Sequence, residues 1–383
     1  MCEAIFWLSV SFVFYTYAGY PVLLALLRRL FPREIVKKPL LPSVSVVLAM
    51  RNEARTIKRR LENLAVQDYP AGKMEIIAVS DGSDDNTEAL VKEMQDSRIQ
   101  LLTLPTPHGK AVALAHGVAV AKGEIIVFAD ARQTFETSAI RELMENFGDP
   151  TVGCVSGQLV FVEKEESAVR VPMGAYWSYE KSVRRHESLT GSTIGVSGSI
   201  YAMRRELYRP LPAGTLLDDV FSPMLVIRQG YRVVFEEKAV AFDVVSRNIE
   251  QEWRRKVRTL TGNWQLLGLA PWLAFPKFNP VWGRFMSHKI FRILVPFFLA
   301  AAFVSSGLLP GLFYTAAFIV QGAFYAIAAS AAVIPRLRTL PGIGIIYFFV
   351  VLNAAAVIGF WKWISGQAAT TWQRSADLTL RPQ

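Results

Sequence analysis

The sequence predicts an α/β domain with a mixed, mainly parallel sheet, inserted between one N-terminal and about three C-terminal transmembrane helices. Composition supports the membrane part: the 383 residues are 52% hydrophobic and 19% charged, a more apolar balance than soluble domains have. The apolar residues are concentrated in four long stretches. Between the first and second stretches, short Val- and Ile-rich runs alternate with helical patterns, as in βαβ units.

Each of the four stretches is long enough to cross a bilayer, since a helix of about 20 residues spans the hydrocarbon core. The predicted spans are residues 5–27, 290–309, 312–334 and 343–363. The first stretch lacks a basic start and a small-residue cleavage site, so we predict a retained span and not a signal peptide. Burial of all four in a soluble core is the alternative, which their aromatic and basic flanks disfavour.

Basic residues predict the topology. They follow the first span and separate the third from the fourth, at Arg28, Arg29, Lys37, Lys38, Arg336 and Arg338. The positive-inside bias therefore places the soluble region in the cytoplasm, and four crossings place the C-terminus on the opposite face. Against this, Lys362, Arg374 and Arg381 at the end of the chain favour the cytoplasm. The alternative is that the fourth stretch, opened by Pro341, lies partly in the interface and returns.

The soluble region is predicted to begin with four strands separated by helices. The strands are residues 44–50, 74–79, 99–104 and 124–129, and the helices are 53–66, 86–95 and 109–121. The predicted domains are a first span with a basic linker (1–41), a cytoplasmic domain (42–263), an interfacial segment (264–287) and a membrane bundle with its tail (288–383).

Carboxylates stand at the C-terminal ends of two predicted strands, where ligands of parallel sheets bind. Asp81 follows the second strand, and Asp130 follows the fourth. One carboxylate can accept hydrogen bonds from a nucleoside, and another can hold a divalent metal on a diphosphate. The alternative for Asp81 is a turn with a helix cap. Asp130 has no turn signal around it.

Two further clusters of charged residues are candidates for a functional site. Asp218 and Asp219 are adjacent, so each disfavours ionisation of the other and can raise the pKa of a base. A helix N-terminus is their alternative. Arg255 and Arg258 are three residues apart, on one helix face that can meet a diphosphate. Contact with anionic lipid headgroups is the alternative for this basic segment.

The order of four segments, VSVVLAMRNE, VSDGSDDNT, GKAVALAHG and VFADARQTF, resembles the family 2 glycosyltransferases with a GT-A fold. Downstream, GVSGSIYAMRREL resembles the segment that lines the acceptor site, LLDDVF the acidic element, and RRKVRTLTGNWQ stands where processive members carry Q-x-x-R-W. The layout resembles that of cellulose, hyaluronan and poly-N-acetylglucosamine synthases. The resemblance implies a hexosyl- or N-acetylhexosaminyltransferase in a bacterial inner membrane.

The resemblance also implies roles for single residues. Donor contacts fall to Asp81 on the uridine, to Lys110 and Arg132, and to Arg255 and Arg258 on the diphosphate. Asp130 is the implied metal ligand, for Mg²⁺ or Mn²⁺, and Asp219 the implied general base. Acceptor contacts are assigned to Ser197, Gly198, Asp218 and Trp264.

Two positions depart from the family pattern. Arg132 stands at the third position of D-x-D, so Asp130 lacks a partner carboxylate at that spacing. Thr259 stands where processive enzymes have the Trp of the acceptor platform, and Trp264 and Trp253 are the nearby candidates to replace it. Metal dependence and processivity are therefore the two properties that the sequence leaves open.

The expected function is inverting transfer of a sugar from a nucleotide diphosphate donor, a UDP-sugar, to a growing polysaccharide at the membrane. The alternatives are transfer of a single sugar to a membrane lipid carrier and a non-catalytic nucleotide-binding scaffold. Nucleic-acid binding is not predicted, because most of the basic excess behind the net charge of +10 lies beside the spans. The sequence does not say whether export needs a second copy or an accessory subunit.

Overall fold

The computed structural model describes residues 1–162, 173–244, 249–340 and 342–367. Its strands are β1 Val44–Met50, β2 Met74–Asp81, β3 Ile99–Leu104, β4 Ile125–Asp130, β5 Thr134–Phe135, β6 Val152–Val162, β7 Ile200–Arg204 and β8 Arg232–Val244. Its helices are α1 Cys2–Phe14, α2 Tyr20–Leu30, α3 Ile57–Ala65, α4 Thr87–Lys92, α5 Lys110–Val120, α6 Ala139–Glu145, α7 Met173–Leu189, α8 Asp218–Arg228, α9 Ile249–Leu269, α10 Trp282–Phe285, α11 Phe291–Leu308, α12 Leu312–Val333 and α13 Ile343–Ile364.

The strands form one mixed sheet in the order β3-β2-β1-β4-β7-β6-β8-β5. The four predicted strands are confirmed as β1 to β4, and they pair in parallel. All seven residues of β1 are buried, which explains why the strand is a continuous apolar run. Antiparallel β7 then joins β4 to the second half of the sheet, so the predicted mixed, mainly parallel α/β domain is confirmed.

The sheet register brings the predicted carboxylates to one edge. Asp130 pairs with Ala49 of β1, and Asp81 ends β2 opposite Leu104 of β3. Helix α5, which follows β3, packs closely on this half of the sheet because Gly117 has no side chain: a Cβ there would lie 2.5 Å from Cγ1 of Val47. The N-terminus of α5 is thereby fixed at the same edge as Asp130.

Among the residues that the structure describes, four helices are long and apolar enough to cross a membrane: Cys2–Leu30, Trp282–Leu308, Leu312–Val333 and Ile343–Ile364. The π turns Tyr15–Gly19 and Met286–Ile290 make the first two continuous. The second helix begins eight residues before the predicted residue 290, because Arg284 and His288 have buried polar partners and do not end it. Tail residues Arg374 and Arg381, and Pro341, lie outside the described residues.

The last helix, α13, returns to the α/β domain. Its C-terminal part packs on α9, with the ring of Trp264 5.0 Å from Phe360 and stacked at 6.0 Å on Trp363. Gly359 lies so close to α9 that a Cβ there would be 2.9 Å from the backbone nitrogen of Thr261. The end of α13 therefore lies against an element of the soluble region.

Candidate active site

A pocket of about 420 Å³ lies at the C-terminal edge of the parallel strands. Its walls come from the ends of β4 and β8, the loop before β7, the first turn of α8 and the N-terminal half of α9. The structure brings nine of the predicted site residues to this pocket: Lys110, Asp130, Arg132, Ser197, Gly198, Asp218, Asp219, Arg255 and Arg258.

Lys110 links two of the carboxylates. Its Nζ lies 2.8 Å from Oδ1 of Asp130 and 3.5 Å from Oδ2 of Asp218. Burial by itself lowers the pKa of this ammonium, but the negative charges of Asp130 and Asp218 raise the pKa above its usual value. Lys110 is therefore a permanent positive charge between the carboxylate of Asp130, at the end of β4, and that of Asp218, at the start of α8.

Asp218 and Asp219 begin α8 but have different surroundings. Asp218 is buried and faces Lys110. The Asp219 carboxylate has no hydrogen bond or ion pair within the described part of the chain, and it borders the pocket. Burial and the neighbouring charge of Asp218 raise the pKa of Asp219 to about 6, against the opposing charges of Lys289, Lys110 and Arg184. At neutral pH this group is ionised and able to accept a proton.

The loop before β7 packs against Asp219 and forms a hydrogen bond with its backbone. The backbone N–H of Val196 donates to the carbonyl oxygen of Asp219 at 2.8 Å, and the N–H of Ser197 donates to Oγ of Ser156 at 2.9 Å. A Cβ on Gly198 would lie 3.3 Å from Cβ of Asp219. The missing side chain at Gly198 thus leaves open the space beside the carboxylate.

Arg132 is paired with the carboxylate of Asp243, a residue that the sequence analysis did not predict for the site. Its guanidinium forms an ion pair with Asp243, which also accepts a hydrogen bond from Nε2 of Gln133 at 2.9 Å. Asp243 lies near the end of β8 and lines the pocket. The signal was present, since Asp243 follows an alternating apolar run, much as Asp130 follows β4.

Other pocket residues also escaped the sequence analysis. Glu53 follows β1, at the C-terminal edge of the parallel strands where the pocket lies. Its carboxylate accepts a hydrogen bond from Oγ1 of Thr56 at 2.8 Å. Trp177 and Phe161 form an aromatic pair, with ring centroids 5.0 Å apart, in the pocket wall. Arg184 comes from α7. The position of Glu53 after a predicted strand could have indicated it, whereas no sequence signal distinguishes Arg184 from the neighbouring basic residues.

The α9 wall is basic. Arg255, Lys256 and Arg258 line the pocket together with Thr259. The ammonium of Lys256 lies 5.7 Å from the ring centroid of Trp177. Cations grouped on one helix face suit a diphosphate that leaves with increased negative charge.

Two predicted residues do not reach the pocket wall. Both carboxylate oxygens of Asp81 accept backbone N–H groups, from His108 at 2.7 Å and Gly109 at 2.8 Å. Asp81 is fully buried and holds the loop that precedes Lys110. Trp264 packs among α13 aromatics and lies outside the residues that line the pocket.

The donor set around Asp130 fits a metal that arrives with its substrate. The Asp130 side chain is 32% exposed, and Lys110 already occupies one side of it. No group of three or more His, Cys, Asp or Glu suited to a metal occurs in the described ranges. Mg²⁺ is commonly held by one or two carboxylates together with water and substrate phosphates. Asp130 fits that arrangement and not an all-protein cage.

Comparison with known proteins agrees with this geometry. Residues 45–211 match the family model "Glycosyl transferase family 2". The poly-beta-1,6-N-acetyl-D-glucosamine synthase of Staphylococcus aureus (strain COL) is 26% identical over 232 residues, which cover 59% of this chain and 56% of that protein. The Staphylococcus epidermidis synthase is 25% identical over 229 residues, covering 58% and 55%. The chain thus spans about half the length of these curated relatives.

A solved structure is similar over almost the whole chain. The mannosyltransferase from Pyrobaculum calidifontis, in complex with GDP-Man and Mn²⁺, superposes with a TM-score of 0.71 at 24% identity. The match covers 96% of this chain and 100% of that one. It shows that the soluble domain and the apolar helices share one overall fold with that enzyme.

The fold is that of a GT-A-like α/β domain, with its pocket at the edge of the sheet where the parallel strands end. More specifically, residues 45–211 match a family 2 glycosyltransferase domain, in a chain that has four candidate membrane helices among its described residues.

Proposed function

We propose that this enzyme transfers a sugar, with inversion, from a nucleoside diphosphate donor to a growing polysaccharide at the cytoplasmic face of a membrane. The observation that carries the proposal is the Asp219 carboxylate, which borders the pocket and forms no hydrogen bond or ion pair with the described residues. The basic α9 wall lies in the same pocket, with Arg255 and Arg258 on it. A base and a cationic leaving-group site are the two parts that sugar transfer requires.

The reaction can be written with this chain's own residues. Asp219 takes the proton of the acceptor hydroxyl, and the hydroxyl oxygen attacks the anomeric carbon of the donor sugar. The bond from that carbon to the diphosphate oxygen breaks, and the electron pair leaves with the diphosphate. Arg255 and Arg258 stabilise that charge. A divalent cation on Asp130, when bound, supplies further neutralisation of the diphosphate.

The nucleotide is proposed to be uridine, on the strength of the motif resemblance. The assignment of the nucleobase as uracil does not rest on a pocket contact of Asp81, because the Asp81 carboxylate already accepts hydrogen bonds from backbone N–H groups. Because the Pyrobaculum enzyme was solved with GDP-Man, guanosine donors belong in the test as well.

The test is transfer by membranes that contain the full chain, supplied with a panel of labelled UDP- and GDP-sugars. We expect one donor to be consumed and a polymer to form. Asp219→Asn keeps the shape of the side chain but accepts no proton, so transfer should fall at least about 10²-fold while donor binding is kept. Near-normal transfer by this variant would remove Asp219 as the base, and a lack of turnover with every donor would contradict the proposed function.

A second candidate is transfer of one sugar to a lipid carrier. It is favoured by Thr259, which lines the pocket at the position of the platform Trp, and by Trp264, which lies among α13 aromatics. Product length distinguishes the two candidates: a polymer supports the first, and a single labelled glycolipid supports the second. Trp177 is the pocket aromatic on which a polymer end could stack.

A further inference from the structure

The second apolar helix carries a stripe of polar side chains that contacts α7. Arg284, His288 and Arg292 follow one another at four-residue intervals, so they lie on one side of that helix. Imidazole His288 lies between two α7 carboxylates, with Nε2 3.1 Å from Oε2 of Glu180 and Nδ1 2.9 Å from Oε1 of Glu187. Arg292 forms an ion pair with Glu180. The stripe therefore attaches α7, which forms part of the pocket wall, to a candidate membrane helix.

Arg284 caps the C-terminus of α7. Its Nη1 donates to the carbonyl oxygens of Glu187 at 2.7 Å and Ser192 at 2.6 Å. Its Nη2 donates to the carbonyl oxygen of Thr190 at 2.7 Å and to Oγ1 of the same residue at 2.9 Å. The last carbonyl groups of a helix have no partner within the helix, and the helix dipole favours a cation beside them. One guanidinium thus fixes the end of α7 and the first residues of the loop that follows.

The loop that Arg284 holds leads to Asp219. The N–H of Thr193 donates to the carbonyl oxygen of Val233 in β8 at 2.9 Å. The N–H of Val196 donates to the carbonyl oxygen of Asp219 at 2.8 Å, and the two residues after Val196 line the pocket. Because this segment is short and hydrogen-bonded along its length, its position beside Asp219 depends on its anchor at α7.

A second arginine binds the same end of α7 from within the α/β domain. Arg232 of β8 is buried and donates to the carbonyl oxygens of Gly191 at 2.9 Å and Ser188 at 3.1 Å. Truncation of Arg284 therefore leaves the end of α7 attached to the sheet and removes only its attachment to the apolar helix. For this reason we expect Arg284 variants to fold.

We propose that Arg284 is a positioning residue for the acceptor side of the pocket: from the second apolar helix it holds the loop that places Ser197 and Gly198 beside Asp219. Arg284 is not among the residues that line the pocket, so it acts through this loop. The inference deepens the proposed function and rests on it only for the meaning of "acceptor". The donor diphosphate is assigned to α9, so acceptor and donor should respond differently to a change at Arg284.

The first test measures the loop itself and does not depend on turnover. Amide hydrogen exchange is followed at residues 193–199 of the full chain in detergent micelles. In Arg284→Ala we expect these amides to exchange at least about tenfold faster than in the wild type, because the loop loses charge-assisted hydrogen bonds and opens more often. Arg284→Lys keeps the charge but offers the carbonyl groups one nitrogen in place of two, so its exchange rate should lie between those of the wild type and the Ala variant.

The second test separates the acceptor from the donor. In Arg284→Ala, kcat/KM for the acceptor should fall about tenfold or more, while the Kd of the donor should stay within about twofold of the wild-type value. Guanidinium ion, added at concentrations too low to unfold the protein, should restore part of the lost rate, because the Ala variant leaves space for it between the carbonyl groups. A general folding defect would not respond in this way.

The matched control is Arg98→Ala. Arg98 also donates to a main-chain carbonyl oxygen, that of Ala65 at 3.1 Å, and it pairs with Asp96 at 2.6 Å, but it does not line the pocket. Its loss should lower the stability of the domain without faster exchange at residues 193–199 and without a change in acceptor kinetics.

Three results would overturn the proposal: equal exchange at residues 193–199 in Arg284→Ala and the wild type, faster exchange with unchanged acceptor kinetics, or equal losses for donor and acceptor. If the wild type consumes no nucleotide sugar, the proposed transfer fails, and the exchange rates still decide whether Arg284 holds the loop. If the wild type transfers sugar and Arg284→Ala matches it in exchange and in rate, the positioning role alone is wrong.

Discussion

Asp218 and Asp219 are neighbours in sequence, yet the fold gives them different chemistry. Asp218 faces the ammonium of Lys110, whereas Asp219 borders the open pocket and has a pKa raised to about 6 by burial and by Asp218. The sequence predicted the raised pKa of the pair from adjacency alone. Which of the two forms an ion pair depends on the position of Lys110, a residue more than one hundred positions away, and adjacency cannot supply that.

The pH dependence of transfer follows from Asp219. The base works only when ionised, and its pKa is about 6. With saturating donor, we expect kcat/KM for the acceptor to fall about tenfold per pH unit below that value and to level off above it. The measurement is initial rate from pH 5 to 8. A rate that is flat across this range would show that Asp219 is not the proton acceptor.

Stability should respond in the opposite sense. The folded-state pKa of Asp219 is raised above its ordinary value of 3.8, so the folded protein binds the proton more tightly. The stabilising effect of that proton is present below about pH 4 and lost as pH rises through about 6. At pH 7.5, Asp219→Asn should therefore raise the free energy of unfolding, on the order of 1 kcal/mol, and at pH 4 it should have little effect.

Thermal unfolding in detergent checks this prediction. The matched variant is Asp218→Asn, which loses the ion pair with Lys110 and should lower stability at pH 7.5. Destabilisation by both variants at pH 7.5 would indicate that the Asp219 carboxylate has a stabilising partner, contrary to the structure described here.

At the scale of elements, the first half of the sheet could be predicted and the second half could not. Strands β1 to β4 are short apolar runs between helical patterns, and their parallel order fixes where Asp130 lies. Strand β8 contains Glu236 and Glu237, and β6 shifts register against it, so neither has a simple pattern. The pairing of Arg132 with Asp243, across the join between these halves, depends on that unpredicted part.

The ion pair between Arg132, two residues after β4, and Asp243 of β8 has a consequence for the metal. Asp243 holds the charge of the Arg132 guanidinium in a fixed place in the pocket that Asp130 also lines. We expect EDTA to abolish transfer, and Mg²⁺ or Mn²⁺ to restore it. Asp243→Asn frees Arg132 to compete with the cation, so the metal concentration for half-maximal rate should rise about tenfold.

The readout is the rate as a function of free Mg²⁺, with Asp68→Asn as control, since Asp68 forms a surface pair with Arg141 away from the pocket. Activity indifferent to EDTA would mean that Lys110 and the arginines neutralise the diphosphate without a metal.

At the scale of the whole molecule, the path of α13 bears on the topology. Four crossings predict a C-terminus on the far side of the membrane. The last turns of α13, however, pack on α9, whose other end lines the active-site pocket. A helix that ends against the catalytic domain leaves the chain on the same face as that domain. We therefore favour the alternative in which the fourth apolar helix returns.

A reporter fused after Gln383 tests this topology. We expect a signal characteristic of the cytoplasm, in intact cells, equal to that of a reporter inserted in the catalytic domain. A second reporter, placed at Gly311 between α11 and α12, should lie on the opposite face. A periplasmic-type signal at Gln383 would restore four full crossings and would require the contact between α9 and α13 to form within the bilayer.

The cluster around His288 also sets an order of assembly. Glu180 and Glu187 are buried carboxylates whose partner His288 lies 108 and 101 residues further along the chain. During synthesis, α7 is complete long before the second apolar helix leaves the ribosome, and until then these acids have no imidazole to meet. The part of the pocket wall that contains Arg184 therefore reaches its final arrangement only as that helix enters the bilayer. An enzyme assembled in this order completes its pocket only on insertion into the membrane, and we expect a copy that fails to insert to be inactive.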